Sequence, residues 1–380
     1  MMRQPDQHIL FLATEYAAGM RPYASTIVHT LWQAGDHVLM VAKDDDCRHD
    51  FDDLPASDVT VIDYPTSKFS KLAFRLWPSR LLQAIDLLVE QRGIKLIYCL
   101  TGELVLVNAI KRLQRHTPLL YTVHDATGHD SRFEGVLPWL NHQLLVAKPQ
   151  QRLINLTTLQ VTNSHEQQRQ VASRHRSHQV WYFPFPTLVS SAIAQGDARV
   201  PELQGVAEGY ILFFGNVQLY KGVHLLYEAY LAHPELRQHP LVIAGSGYIY
   251  FKRRLDQESG ITFINRYIDD SELRDLFTRA AVVVYPYISA TQSGVTSIAS
   301  YFDKPMVLSD LPFFQDTCAG CGGIEFFGSG DSLALAAAIE RSLSSPSSTG
   351  TRSLYDRQYS RQALLTSLET MIADVLHNHS

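Results

Sequence analysis

Tyr285-Pro-Tyr-Ile-Ser-Ala-Thr-Gln-Ser-Gly-Val-Thr-Ser-Ile-Ala-Ser-Tyr-Phe-Asp-Lys-Pro-Met-Val307 is the stretch whose reading decides the fold. It follows an apolar run, Ala280 to Val284, that reads as a strand buried on both faces of a parallel sheet. Thr291, Gln292, Ser293 and Gly294 form a small polar turn. A short helix opens at about Val295 and Pro305 stops it. Met306 to Ser309 reads as the next strand. The unit is strand, turn, helix, strand. Its turn leaves backbone N–H groups free at a helix N-terminus, where the dipole favours an anion. An ordinary β-α connection with a Ser N-cap has the same pattern, so the neighbouring segments decide between the two.

Upstream, the same alternation recurs. Tyr210–Phe214 reads as a strand, Gly222–Leu231 as a helix, Pro240–Ala244 and Ile261–Ile264 as strands, and Ser271–Ala280 as a helix. The first half repeats it. His8–Ala13, His37–Ala42, Val59–Tyr64, Ile94–Leu100, Pro118–Val123 and Leu159–Asn163 are strands. Tyr23–Gln33, Arg80–Glu90 and Val105–Leu113 are helices between them. Short strands alternating with longer helices predict doubly wound parallel sheets. The chain has 380 residues, which suits two such domains. The prolines of Trp181–Pro186 break regular structure, and Ser190–Ala207 is small and polar, so the linker is placed there. The expected division is 1–188 as the first domain and 189–358 as the second. A final helix over 359–380 is expected to return to the first.

Composition narrows the function. A net charge of −5 argues against a nucleic-acid protein. No apolar run reaches the roughly 18 residues that span a bilayer. The N-terminus reads as a first strand and not a secretion signal. Four cysteines over this length give no disulfide framework, and Cys318 and Cys321 form only a lone C-x-x-C. A cytoplasmic location is expected, at the inner face of the membrane if the chain touches lipid.

Ligands in open α/β sheets bind outside the carboxyl ends of the strands. Three second-half segments stand there. Strand 211–214 runs into Gly215-Asn-Val-Gln-Leu-Tyr-Lys221-Gly222. A glycine at the strand end lets a ligand approach backbone, and Lys221 at a helix start places a cation beside a positive dipole end. Together they suit a pyrophosphate. Strand 241–244 runs into Gly245-Ser-Gly247, and strand 261–264 into Asn265-Arg266-Tyr267-Ile268.

The ordered series "FFGNVQLYKG", "LVIAGSG", "NRYIDDSELRDLFTRAAVVVYPY" and "ATQSGVTSIASYFDKPMVLSD" resembles the C-terminal half of family-four (group 1) glycosyltransferases of bacterial surface polysaccharide biosynthesis. It covers about Tyr210 to Asp310. The first half is similar more loosely, through its first strand, Gly19, and "YTVHD" at Tyr121 to Asp125. The resemblance implies the GT-B fold, in which two Rossmann-like domains face each other across a cleft. It implies sugar transfer from a nucleoside-diphosphate sugar, UDP- or GDP-linked, without a metal.

Site roles follow from the resemblance position by position. Lys221 matches the lysine that neutralises the donor diphosphate. Many relatives carry an arginine five residues earlier, where Asn216 stands here, and Arg266 is the expected stand-in. The Arg266–Ile268 loop matches the segment that cradles the nucleobase through backbone. Thr291, Gln292, Ser293, Gly294 and Val295 match the turn whose amides hold phosphate and sugar hydroxyls, with Gly215 and Gly245 beside it. Gly19 matches a glycine near the diphosphate, and His124 a histidine that contacts the donor sugar. The paired glutamates of many relatives, spaced E-x7-E, are Ala290 and Ile298 here. Isoleucine cannot accept a hydrogen bond, so ribose recognition must differ.

In such a reaction Lys221 and the amides after Gln292 stabilise the charge growing on the leaving phosphate. If configuration is retained, the expected course, that phosphate takes the acceptor proton. If it is inverted, a base is needed, for which Asp125 and His124 are best placed, with Glu15 behind them. Asp44-Asp45-Asp46 reads as a solvated loop and not a metal motif.

Ser67 to Arg80 interleaves Lys68, Lys71, Arg75 and Arg80 with Phe69, Leu72, Phe74, Leu76 and Trp77. On an acidic chain this suits contact with anionic lipid, and hence a polyprenyl- or lipid-linked glycan acceptor. The alternative is an amphipathic helix packed on its own domain. Two rival functions remain: a nucleotide-sugar-binding protein without catalysis, suggested by Ala290 and Ile298, and a sugar-nucleotide epimerase of similar layout. A nicotinamide dehydrogenase is not expected, because no G-x-G-x-x-G follows the first strand.

Overall fold

The computed structural model describes residues 6–16, 20–43, 45–102, 104–115, 117–124, 126, 147–290, 293–344 and 350–377; the side chains of residues 15, 46 and 104 are not described. The chain divides into two compact units, Met1–Pro186 with Arg361–Ser380, and Thr187–Ser360.

Unit one holds a seven-stranded parallel sheet: β1 (His8–Tyr16), β2 (His37–Ala42), β3 (Val59–Asp63), β4 (Ile94–Thr101), β5 (Leu119–Val123), β6 (Leu159–Thr162) and β7 (Gln179–Tyr182). The spatial order is β3-β2-β1-β4-β5-β6-β7, so the winding reverses between β1 and β4. Residues of β1 alternate between two cores. Ile9, Phe11 and Ala13 face one, and Leu10 and Leu12 the other. Burial on both faces is why these strands read as continuous apolar runs. The helix Arg361–His377 closes the first core. Its Leu364, Leu368, Met371, Ile372, Val375 and Leu376 recur at helical spacing and pack with Tyr23 and Ile27 of the helix Arg21–Leu31. Trp181 Nε1 donates to Asp374 at 2.6 Å, fixing that helix to the edge strand β7.

Unit two holds a six-stranded parallel sheet: β8 (Tyr210–Phe214), β9 (Leu241–Ala244), β10 (Ile261–Ile264), β11 (Ala280–Tyr285), β12 (Met306–Ser309) and β13 (Ile324–Phe327). Its order is β10-β9-β8-β11-β12-β13, reversing between β8 and β11. Register follows directly, with Phe214 beside Ala244 and Leu212 beside Val283. Both units are Rossmann-like, as the alternation predicts.

Three sequence expectations are corrected. Leu159–Asn163 does not close the first sheet, because β7 follows and takes in Trp181 and Tyr182, the first two residues of the proline-broken segment. The stretch Ser190–Ala207 is part of unit two and not a free linker. Ser190 Oγ caps the short helix Ser191–Gln195, accepting from Ile193 N at 3.2 Å, and donates to Asp270 at 2.7 Å. Ile193, Val200 and Leu203 are buried in the unit-two core. The predicted helix Ser271–Ala280 is shorter, Leu273–Thr278, after a turn whose Asp269 and Glu272 form a reciprocal capping box.

Candidate functional site

The unit-two switch lies between β8 and β11, where open α/β sheets place ligands. The loops at the carboxyl ends of β8, β9 and β11 meet there, and the β10 loop follows the edge strand beyond β9. Gly215 ends β8 at φ +141°, and a Cβ on it would stand 3.7 Å from Lys221 Nζ. The β9 loop lies against this backbone. Gly215 N donates to Ala244 O at 3.0 Å, and Val217 N to Ser246 O at 2.8 Å. A Cβ on Gly245 would come within 2.1 Å of Gly215 O, and one on Gly247 within 2.5 Å of Val217 O. These glycines let two loops pack backbone on backbone.

A short 3-10 turn, Leu219–Lys221, then ends at Gly222 in the left-handed region, which starts the helix Val223–Ala232. A Cβ on Gly222 would lie 1.8 Å from Pro286 O, so no other residue fits without displacing the β11 loop. The same junction is tied by Ile288 N donating to Tyr220 O at 2.7 Å. Lys221 is thereby held over the end of β11. Its Nζ donates to Tyr287 Oη at 2.6 Å and lies 4.4 Å from the Tyr287 ring centre and 5.5 Å from that of Tyr220. Tyr287 is itself buried and packed on Phe314 and Tyr285.

Among the described residues no carboxylate pairs with Lys221. Burial pushes its pKa down, but the facing Tyr287 and Tyr220 hydroxyls push it up by more, and the net displacement is upward. At neutral pH the site therefore holds a partly buried ammonium with no carboxylate partner among the described residues, an arrangement that favours an anionic ligand.

Arg266 is different. Its guanidinium bonds Glu202 at 2.8 and 2.9 Å and Glu272 at 2.7 and 2.7 Å, and Nη1 also reaches Tyr267 O at 3.0 Å. The expectation that Arg266 replaces the missing cation is corrected. Two carboxylates compensate its charge, and it fastens the β10 loop to the segment before β8. Ile268, on the same loop, is buried in the core, so its side chain cannot face a base, whereas the Tyr267 side chain is exposed. Asn216 is exposed, and its Oδ1 accepts from Ser246 Oγ at 3.2 Å.

On the turn after β11, Thr291 and Gln292 lie outside the described residues. Ser293 is buried and Gly294 is the N-cap of the helix Val295–Tyr301. The Val295 side chain belongs to the core and its carbonyl accepts from Tyr285 Oη at 3.2 Å, leaving its amide as the candidate group. Ala290 packs against the core and Ile298 is buried in it. Both glutamate positions are thus filled by apolar packing.

In unit one, His124 follows β5. Its Nε2 lies 2.7 Å from Leu100 O, which can only accept, so Nε2 carries the proton and Nδ1 the lone pair in the neutral ring. The ring stands edge-on to Tyr23 at 4.7 Å. Gly19 and Asp125 lie outside the described residues, as do Asp44 and the Glu15 side chain.

The Ser67–Arg80 patch forms the helix Lys68–Leu76, capped by Ser67 Oγ accepting from Ser70 N. None of the helix's own residues is buried. Phe69 is 83% exposed, Trp77 79%, Leu72 53% and Leu76 44%. Phe69, Leu72 and Leu76 share one face at i, i+3, i+7. The opposite side holds the helix down, through Phe74 against Tyr64 and Asn108 Nδ2 donating to Arg75 O at 3.0 Å. The apolar face is turned outward, with Lys68, Lys71 and Arg75 flanking it and Arg80 just beyond Trp77. No helix among the described residues is long and apolar enough to cross a membrane.

The sequence reading missed Tyr287 and the packing role of Gly222. The Tyr-Pro-Tyr triplet was the available signal. Two aromatic rings bracketing a proline at a strand's carboxyl end mark a rigid, walled position.

Comparisons with known proteins agree with this layout. Residues 208–345 match the family model described as glycosyl transferases group 1. None of the curated proteins compared matches the chain. Among solved structures, Anabaena Alr3699/HepE in complex with UDP superposes with a TM-score of 0.69 at 18% identity, covering 98% of this chain and 100% of that one. Sucrose-phosphate synthase from Thermosynechococcus elongatus gives 0.66 at 16%, covering 98% and 100%. A glycosyltransferase from Rickettsia africae gives 0.69 at 11%, covering 99% and 100%. At these identities the likeness is one of fold, the GT-B fold.

Proposed function

We propose that this chain, whose residues 208–345 match the group 1 glycosyltransferase family model, is a transferase that takes its sugar from a nucleoside-diphosphate donor, UDP-linked in the first instance. The observation that carries this is Lys221, a charged, partly buried ammonium at the sheet's switch point with no carboxylate partner among the described residues. A diphosphate supplies that counter-charge. As the bond from the sugar's anomeric carbon to the β-phosphate oxygen breaks, its electron pair stays on that oxygen, and Lys221 stabilises the growing charge. In the retaining course the same oxygen then takes the acceptor hydroxyl's proton, so the residues named act without a metal.

The proposed acceptor is a glycan or lipid-linked glycan of a cell surface. The outward apolar face of Lys68–Leu76 with Trp77, edged by cations on an acidic chain, supports peripheral contact with an anionic membrane. Vesicles rich in phosphatidylglycerol should bind the protein at least about tenfold more tightly than phosphatidylcholine vesicles, since each basic residue near such a surface is worth about 1 kcal/mol. The double variant Phe69→Ser, Trp77→Ser should abolish the binding. Equal partition onto both vesicle types would overturn this part.

The test of the donor site is thermal stabilisation by UDP, GDP, ADP and NAD. A ligand at about 100 times its dissociation constant stabilises by roughly 2.7 kcal/mol. A shift with one nucleoside diphosphate establishes the site and its base; no shift with any of them sinks it. Buried Ile298 favours one second reading, a nucleotide-sugar-binding protein without transfer. A nucleotide shift with no sugar transferred to any glycan acceptor would favour it.

A further inference from the structure

Nothing in the group 1 resemblance assigns a role to Tyr287, yet it is the residue that Lys221 touches. Its hydroxyl accepts from Nζ at 2.6 Å, and its ring lies 4.4 Å from the same atom. The two residues stand 66 positions apart in sequence and come from the loops on either side of the switch point. The Tyr287 side chain has little freedom. It is buried between Phe314 and Tyr285, and its own carbonyl accepts from Ser329 Oγ at 3.0 Å. A lysine has four rotatable side-chain bonds and is a compact, strongly hydrated charge, so an unheld lysine would spend much of its time away from a ligand.

We infer that Tyr287 is a positioning residue, whose phenol and ring hold the Lys221 ammonium at the end of β11 in the geometry that receives a diphosphate. The inference rests on the donor-site reading above. One N–H of the ammonium goes to Tyr287, and the remaining two are left for phosphate oxygens. The phenol is a neutral acceptor, so it orients the charge without cancelling it, as a carboxylate would. Tyr220 adds a second aromatic face at 5.5 Å.

The experiment is a double-mutant cycle on UDP affinity in the intact chain. Tyr287→Phe keeps the ring and its packing and removes only the hydroxyl. It should weaken UDP binding about tenfold, the scale of one hydrogen bond to a charged group, with an unchanged melting temperature. In a Lys221→Met background the same change should cost nothing further, because there is no ammonium left to hold. The alkaline limb gives an independent readout. The titratable groups facing Lys221 are Tyr287 and Tyr220, with Tyr285 behind. Without the Tyr287 hydroxyl, an influence that raises the Lys221 pKa is gone, and UDP affinity should fall away at lower pH than in the unaltered protein. Full affinity in Tyr287→Phe, or equal losses in both backgrounds, would overturn the inference while leaving the donor site standing. An unaltered protein that binds no nucleotide would overturn both.

Discussion

Lys221→Met should weaken nucleoside-diphosphate binding, to a level still measurable, without loosening the fold. The ammonium sits on Gly215 backbone and two tyrosine rings, with no carboxylate partner among the described residues. No carboxylate among the described residues is stranded when Lys221 is replaced, and an apolar side chain of similar length keeps the packing on the two rings. The melting temperature should therefore stay nearly level. Function should respond instead, with kcat/KM falling about 10²- to 10³-fold, the range measured when one stabilising donor is removed from a developing oxyanion. Arg266→Met is the mirror. It strands Glu202 and a buried Glu272, so it should lower the melting temperature. Calorimetry with and without UDP separates the two patterns. Equal loss of stability and binding in Lys221→Met would make that lysine structural.

Gly222→Ala should damage stability and site together. The residue sits at φ +65°, and an added Cβ would lie 1.8 Å from Pro286 O. That neighbour is backbone, anchored by β11, so it cannot turn aside as a side chain could. The left-handed conformation costs about 1–2 kcal/mol for a residue with Cβ, and forced overpacking a further 1–3. Roughly 3 kcal/mol in a unit of this size lowers the melting temperature by about 6–12 °C. Because Lys221 is the adjacent residue, the displaced loop should also carry the ammonium off Tyr287 and weaken UDP binding. Gly205→Ala is the control. It shares a positive φ, +82°, but a Cβ there meets nothing within 4 Å, so only the conformational cost remains. Similar losses at both glycines would show that the clash with Pro286 is relieved by movement.

Much of the fold was legible because burial on both faces writes parallel strands as apolar runs. β2, β10 and β12 match their sequence boundaries to the residue. The elements missed have weak local signals. β7 is an edge strand of four residues ending at Tyr182, just before prolines. β13 is also four residues long, between glycines. Ser190–Ala207 reads as linker because its buried residues, Ile193, Val200 and Leu203, are too sparse to set a period.

The sequence by itself determined the two alternating strand–helix series, the glycine-marked strand ends and a lysine at a helix start beside the switch point. All of these follow from periodicity and backbone freedom, which are local properties. Tertiary structure alone decided which cation keeps its charge available. Arg266 meets Glu202 from 64 positions away, and Lys221 meets Tyr287 from 66. It also decided that the apolar face of Lys68–Leu76 turns outward, which an amphipathic pattern leaves open. The physical reason is common to both. A side chain's charge and exposure are set by neighbours that loops bring together from distant parts of the chain, and no local pattern in the sequence records who those neighbours are.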